Sequence, residues 1–161
     1  NIYAAKCGNK ASKTSVKKIT TIASANKVSF THKKLKKNTW YKYQIAAYKI
    51  VDGKQVEFGQ SLDLYSLTKG SKKNTNPSKI KLSTSKVKLA VGKTKKIKAK
   101  VVVPKGKKTK WQVKKLRYLS SNTNIAKVNS SGKITAKVKG TCYVYLITQN
   151  GLNVKMKITV K

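Results

Sequence analysis

Along most of this chain apolar and polar residues alternate one for one, with lysine repeatedly on the polar beat. Tyr41-Lys42-Tyr43-Gln44-Ile45-Ala46-Ala47 sets Tyr41, Tyr43, Ile45 and Ala47 on one side. Ile97-Lys98-Ala99-Lys100-Val101 and Val154-Lys155-Met156-Lys157-Ile158-Thr159-Val160 repeat the pattern with lysine outside. A period of two belongs to the β-strand, whose successive side chains point to opposite faces, so these segments are expected to be half-buried strands of antiparallel sheets. Turn formers recur between them, at Asp52-Gly53, Val91-Gly92, Pro104 to Gly106, Ser131-Gly132, Lys139-Gly140 and Asn150-Gly151. That spacing is the rhythm of an all-β sandwich. No stretch of about a dozen residues carries a helical repeat free of breakers.

Between Lys69 and Lys79 the residues are Gly, Ser, Lys, Asn, Thr and Pro77, with no large apolar side chain. This is a linker composition. The reading is therefore two tandem β domains, residues 1–70 and 79–161, joined by a linker over 71–78. The opening Asn1-Ile2-Tyr3-Ala4-Ala5 reads like the inside of a strand, so the chain is expected to be a piece of a longer polypeptide.

Charge excludes more functions than it suggests. Three acids (Asp52, Glu57, Asp63) stand against 38 lysines and Arg117, and the chain has a formal net charge of +36. Residues 71–161 hold 24 lysines and Arg117 with no acidic side chain. Chemistry that needs a carboxylate as base, nucleophile, metal ligand or triad orienter is excluded there. The one histidine, His32, is followed by Lys33 and Lys34, which repel cations, so it is expected to be a solvent-exposed polar residue before a turn, not a ligand. The acids lie along two strands, too scattered for calcium. Serine and threonine are abundant but have no positioned base. No enzyme activity and no cofactor are expected. Uncharged apolar runs, such as Val101 to Val103, are only a few residues long, so no transmembrane helix is expected. Cys7 and Cys142, one in each half, read as buried thiols rather than a disulfide.

Residues 1–70 resemble the later part of a fibronectin type III domain. Leu35 followed six residues later by Tyr41, in Leu-Lys-Lys-Asn-Thr-Trp-Tyr, is similar to that family's tyrosine corner. Tyr41 to Tyr48, the Val51-Asp52-Gly53-Lys54 hairpin and Ser61 to Thr68 then match the last two strands, with Ile2 to Cys7 and Lys18 to Ala23 as earlier ones. The family's first two strands have no counterpart. Residues 79–161 resemble a bacterial immunoglobulin-like domain of group 2. The motifs come in order: Ile80-Lys81-Leu82-Ser83, Val87 to Gly92, Tyr118-Leu119-Ser120-Ser121-Asn122, Ile125 to Ala136, and Lys139-Gly140-Thr141. Tyr118 stands where that family usually has Trp, and a basic insert, Lys105 to Lys115, is added. Leu35, Tyr41 and Tyr118 are thus expected in structural roles.

Both families are common as tandem, non-catalytic modules of secreted or surface-attached bacterial proteins. The resemblance therefore implies an extracellular or cell-surface segment, structural or adhesive, or an accessory module beside a wall hydrolase or glycosidase. Some surface domains of this kind carry Lys–Asn isopeptide crosslinks, which need a nearby acid; the second half has none.

The basic surface supports weak contact with polyanions such as anionic cell-wall polymers or host glycans. The candidate contact residues are Lys105, Lys107, Lys108, Lys110, Trp111, Lys114, Lys115 and Arg117, supplemented by outward strand lysines such as Lys81, Lys86, Lys88, Lys96, Lys98 and Lys100. The bland alternative is a solubilising coat that also guards strand edges. A single arginine argues against shaped anion recognition. Trp40, Tyr41, Tyr43 and Tyr48 fall on expected core positions, so specific nucleic-acid binding is not expected.

Overall fold

In the computed structural model, residues 1–8 and 13–161 are described, save for the side chain of Trp111. The chain divides into two compact units, Asn1–Thr75 and Asn76–Lys161. Among the described residues the regular elements of both are strands, save one helical turn in the second, as the alternation requires.

The first unit is one five-stranded antiparallel sheet of β1 (Ile2–Lys6), β2 (Lys17–Thr20), β3 (Trp40–Val51), β4 (Lys54–Gln60) and β5 (Leu64–Leu67). The long β3 organises it. It pairs β1 over Tyr41 to Ile45, β4 over its C-terminal half and β5 over its first residues, while β2 flanks β1. The β3–β4 hairpin turns through Asp52 and Gly53, whose φ angles of 49° and 72° give the left-handed pair that two-residue hairpins favour. The Lys36 N–H donates to the Tyr41 hydroxyl at 3.1 Å, tying the tyrosine back to the chain before its own strand. Leu35 beside it is half-buried.

Alternation predicts the correct strand but only half of its environment. On the expected apolar face Tyr41 is buried, Tyr43 half-buried and Ile45 50% exposed. The opposite face holds the buried Trp40, Ala46, Tyr65 and Leu67, and with them Lys42, only 7% exposed. Lys42 is therefore not the solvent-facing lysine its position in the pattern implies. An ammonium can be kept inside only if it is paired and hydrogen-bonded. The Lys42 ammonium lies 3.1 Å from an Asp63 carboxylate oxygen and donates to the Thr14 carbonyl at 3.1 Å. Asp63 also accepts from Gln44 Nε2 at 2.7 Å and from the Tyr65 hydroxyl at 3.0 Å. Burial pushes the Asp63 pKa up, but hydrogen bonds from Lys42, Gln44 and Tyr65 and the Lys42 charge outweigh it and hold it below the ordinary aspartate value. Glu57 is likewise lowered, by hydrogen bonds from Tyr3 and Asn1.

The second unit is a β-sandwich. Its strands are β6 (Lys79–Leu82), β7 (Lys86–Leu89), β8 (Thr94–Lys96), β9 (Ala99–Val102), β10 (Arg117–Ser120), β11 (Ala126–Val128), β12 (Lys133–Ala136), β13 (Gly140–Ile147) and β14 (Asn153–Val160). One sheet has the order β10-β13-β14-β7, and the other side is made by β11-β12-β8 and the pair β6-β9. β7 runs parallel to β14; the other pairings of this unit are antiparallel. The inward positions of β13 and β14 meet Ile80, Ile97, Ala126 and Ile134 in one core. Ile134, Leu146, Met156 and Ile158 are each no more than 1% exposed. Burial of side chains of this size stabilises the unit by about 1.5–3 kcal/mol apiece. Cys142 is buried in this core, Cys7 is half-buried in the first unit, and neither forms a disulfide.

Tyr118 has a definite structural partner. Gly132 has a φ of +77°, and a Cβ placed there would lie 2.7 Å from Tyr118 Cζ. The glycine is required twice, for the backbone angle of the β11–β12 turn and for the ring that rests on it. The Gly132→Ala variant should lose about 1–3 kcal/mol in thermal or denaturant unfolding. In a Tyr118→Ala background the loss should shrink to the backbone strain alone; equal losses in both backgrounds would show that the ring is not the obstacle.

The acid pair predicts a difference between the units. A depressed carboxyl pKa contributes stability that is present above the unfolded value, near 4, and disappears as pH falls through the lower folded value. Amide exchange on the whole chain should therefore show the first unit weakening below about pH 4 while the second, which has no acidic side chain, holds its protection. Asp63→Asn should remove part of that pH dependence, and Glu57 accounts for another part.

Candidate functional site

The Lys105–Lys115 insert leaves β9 and returns through a single helical turn, α1 (Trp111–Lys114), to β10. A tight turn opens it, with Gly106 at φ 72° and the Lys107 N–H donating to the Pro104 carbonyl at 3.1 Å. Lys105, Lys107 and Lys108 are exposed on this turn, and Lys110 is half-buried. Val113, fully buried, pins the helical turn to the unit. The anchor leaves Lys114 and Lys115 exposed beside it. Trp111 belongs to the turn, but its side chain lies outside the described residues. Arg117 follows in β10, half-buried and opposite Ile147.

Behind the insert is a cavity of about 460 Å³, lined in part by Lys100, Lys114, Lys115, Tyr118 and Ser130. Three lysines thus line one concavity in a unit without acidic side chains. Burial pushes the Tyr118 phenol above its usual value, which keeps it neutral and able to donate. Thr109 Oγ1 and Gln112 Oε1, on the same insert, are buried with no hydrogen-bond partner in the protein. The lysines and the Tyr118 hydroxyl can hold an anion by charge and by single hydrogen bonds. They do not have the forked geometry of a guanidinium.

Of the eight residues singled out in the sequence, the cavity gathers only Lys114 and Lys115. Lys105, Lys107, Lys108, Lys110 and Arg117 do not line it. Lys100 does, and no insert-based reading includes it. Its signal is positional, an outward place on β9 shortly before the insert begins. The outward lysines Lys81, Lys86, Lys88, Lys96 and Lys98 are all exposed, so the charge extends over the whole unit.

The first unit has a different concavity, an apolar groove of about 1030 Å³. Ile2, Tyr43, Ile45 and Leu64 of the sheet form one wall, and Val28, Phe30, His32 and Leu35 the other. His32 is not the solvent-exposed residue expected from its lysine neighbours. It is half-buried, its Nδ1 lies 3.2 Å from the Tyr43 hydroxyl, and its ring stands edge-on to Tyr41 and Tyr43 at 6.1 and 5.9 Å. The aromatic cluster draws it in, because an imidazole packs as a flat ring and bonds a phenol. Burial is also the main reason the Tyr43 pKa is raised. No carboxylate lines this groove. Among the described residues, no three of His, Cys, Asp and Glu gather as a metal site would need. No helix is long and apolar enough to cross a membrane.

No family model and no curated protein matches the chain. Among solved structures it is similar to domains 4 and 5 of the S-layer protein SbsC, at 17% identity and a TM-score of 0.44, over 63% of this chain and 62% of that one. The structure of the S-layer protein rSbsC(31-844) matches at 17% identity and 0.45, over 76% of this chain and 16% of that one. SbsC domains 1-6 match at 16% and 0.44, over 76% and 16%. The chain thus spans less than two thirds of each. A likeness of this size carries no function across to it.

Proposed function

We propose that the chain is a non-catalytic structural or adhesive segment of a bacterial secreted or cell-surface protein, whose lysine surface makes weak contact with anionic cell-wall polymers or host glycans. The observation that carries this reading is the second unit, a closed sandwich with lysine on its exposed strand positions and no acidic side chain to neutralise them. The fibronectin type III-like and bacterial immunoglobulin-like assignments belong to the same proposal. The Lys36–Tyr41 hydrogen bond supports the first, and the two-layered order of strands supports the second. The cavity of Lys100, Lys114 and Lys115 is one place where an anionic group could rest.

Charge-driven contact has a measurable signature. Exposed charges more than about 10 Å apart are screened at 0.1 M salt, so affinity should fall steeply with ionic strength. The whole chain should be retained on immobilised heparin or teichoic acid at low salt and elute near physiological salt. Passage through both columns at low salt would reduce the chain to a spacer. Tight binding to DNA that persists well above physiological salt would replace the reading with a nucleic-acid one.

A further inference from the structure

The outward face of the β10-β13-β14-β7 sheet sets tyrosine and lysine side by side. In β13, Cys142, Val144 and Leu146 point into the core, each no more than 2% exposed. The intervening Tyr143 and Tyr145 therefore lie on the opposite face, half-buried, two residues apart on a central strand. The register completes the pattern. Tyr143 stands opposite Lys157 and Tyr145 opposite Lys155, and Lys157 is in turn beside Lys86 of β7. Paired residues share a face of a sheet, with strands about 4.8 Å apart. Two phenols and three ammonium groups thus form one strip across three strands. All three lysines are exposed, and the Lys155 ammonium sits 5.0 Å from the centre of the Tyr143 ring.

We propose that this strip is a binding site for a linear anionic polysaccharide. It rests on the polyanion reading above and places the contact on the sheet face in preference to the insert. Charge complementarity supplies the attraction, because no acidic side chain in the unit competes for these lysines. The tyrosines decide the class of polymer. Bases of single-stranded nucleic acids stack on open aromatic faces, often beside arginine. Here a face of Tyr143 is taken by an ammonium, which leaves its hydroxyl and the neighbouring N–H donors as the recognition groups. Hydroxyl and ammonium donors in a row match the hydroxyl and carboxylate or sulfate groups of a sugar chain. A flat sheet face also accepts an extended polymer without demanding a pocket.

The test uses the whole chain and three probes, heparin, polygalacturonate and a single-stranded oligodeoxynucleotide, at low salt. The strip variant Lys86→Gln/Lys155→Gln/Lys157→Gln is compared with an insert variant of equal charge, Lys105→Gln/Lys107→Gln/Lys108→Gln. Affinity for the two polysaccharides should drop about tenfold in the strip variant, as three exposed contacts imply, and no more than about twofold in the insert variant. Tyr143→Phe/Tyr145→Phe keeps the rings and the charge, so it tests the hydroxyls without unpacking the sheet; a severalfold loss is expected. Equal losses from the strip and insert variants, or no effect of the tyrosine pair, would overturn the site while leaving a diffuse polyanion surface. A preference for the oligodeoxynucleotide over both polysaccharides would overturn the ligand class. Failure of the unaltered chain to bind any probe would remove the underlying reading as well.

Discussion

In the second unit everything depends on a core that no side-chain ion pair can assist. After Asp63 there is no carboxylate side chain, so none of the lysines of residues 71–161 can be neutralised by one from its own unit. Cohesion has to come from apolar burial and from the backbone ladders. The magnitudes favour this. Each large core side chain contributes about 1.5–3 kcal/mol, whereas exposed ion pairs contribute about 0–1 kcal/mol. Repulsion among exposed lysines is weakened by water and salt. A sandwich can therefore give up its surface ion pairs at small cost, provided the layer beneath is dry and continuous. Ile134, Val144, Leu146, Met156 and Ile158 form that layer.

The first unit uses charge differently. Lys42 lies in the buried first residues of β3, and its acceptors are Asp63 and the Thr14 carbonyl. Removing the carboxylate would leave an ammonium in a place where water cannot reach it well, which is far more costly than losing a surface pair. Asp63 is also engaged by Gln44 and Tyr65, so one carboxylate joins β3 to β5 through side chains as well as through the ladder. The same residue type is a coat in one unit and a structural element in the other, and the difference is the presence of an acid.

These particulars show what was legible before folding. Strands were, because alternation is a local property: β3 with its hairpin at Asp52-Gly53 and the C-terminal β14 follow from it. The tie between Tyr41 and the chain just before its strand was also legible, because its hydrogen bond spans only a few residues. Lys42 and His32 were not, since their burial is decided by Asp63, Tyr65 and the aromatic ring cluster, all brought in by tertiary contact. The same holds for the cavity. Lys100 joins Lys114 and Lys115 across a loop, and no spacing in the chain announces it. The Tyr143–Tyr145 pair is a different case. Residues 142–147 are one apolar run in the sequence, so the pair's outward orientation comes from the burial of Cys142, Val144 and Leu146, and its lysine neighbours from the register with β14 and β7.

The dominance of lysine over arginine sets what such a surface can recognise. A guanidinium forks onto a phosphate or carboxylate and fixes its orientation, whereas an ammonium is a mobile point charge on a flexible stem. A lysine coat therefore attracts polyanions without selecting among them, and any selectivity has to come from groups that are held in place. On the second unit's outer sheet those groups are the tyrosines, anchored by the core residues between them and ordered by the strand. Lysine supplies the encounter and tyrosine supplies the geometry. This division of labour follows from the alternation itself: a strand that buries Cys142, Val144 and Leu146 must present Tyr143 and Tyr145 to solvent, and the strand paired with it presents Lys155 and Lys157 in register.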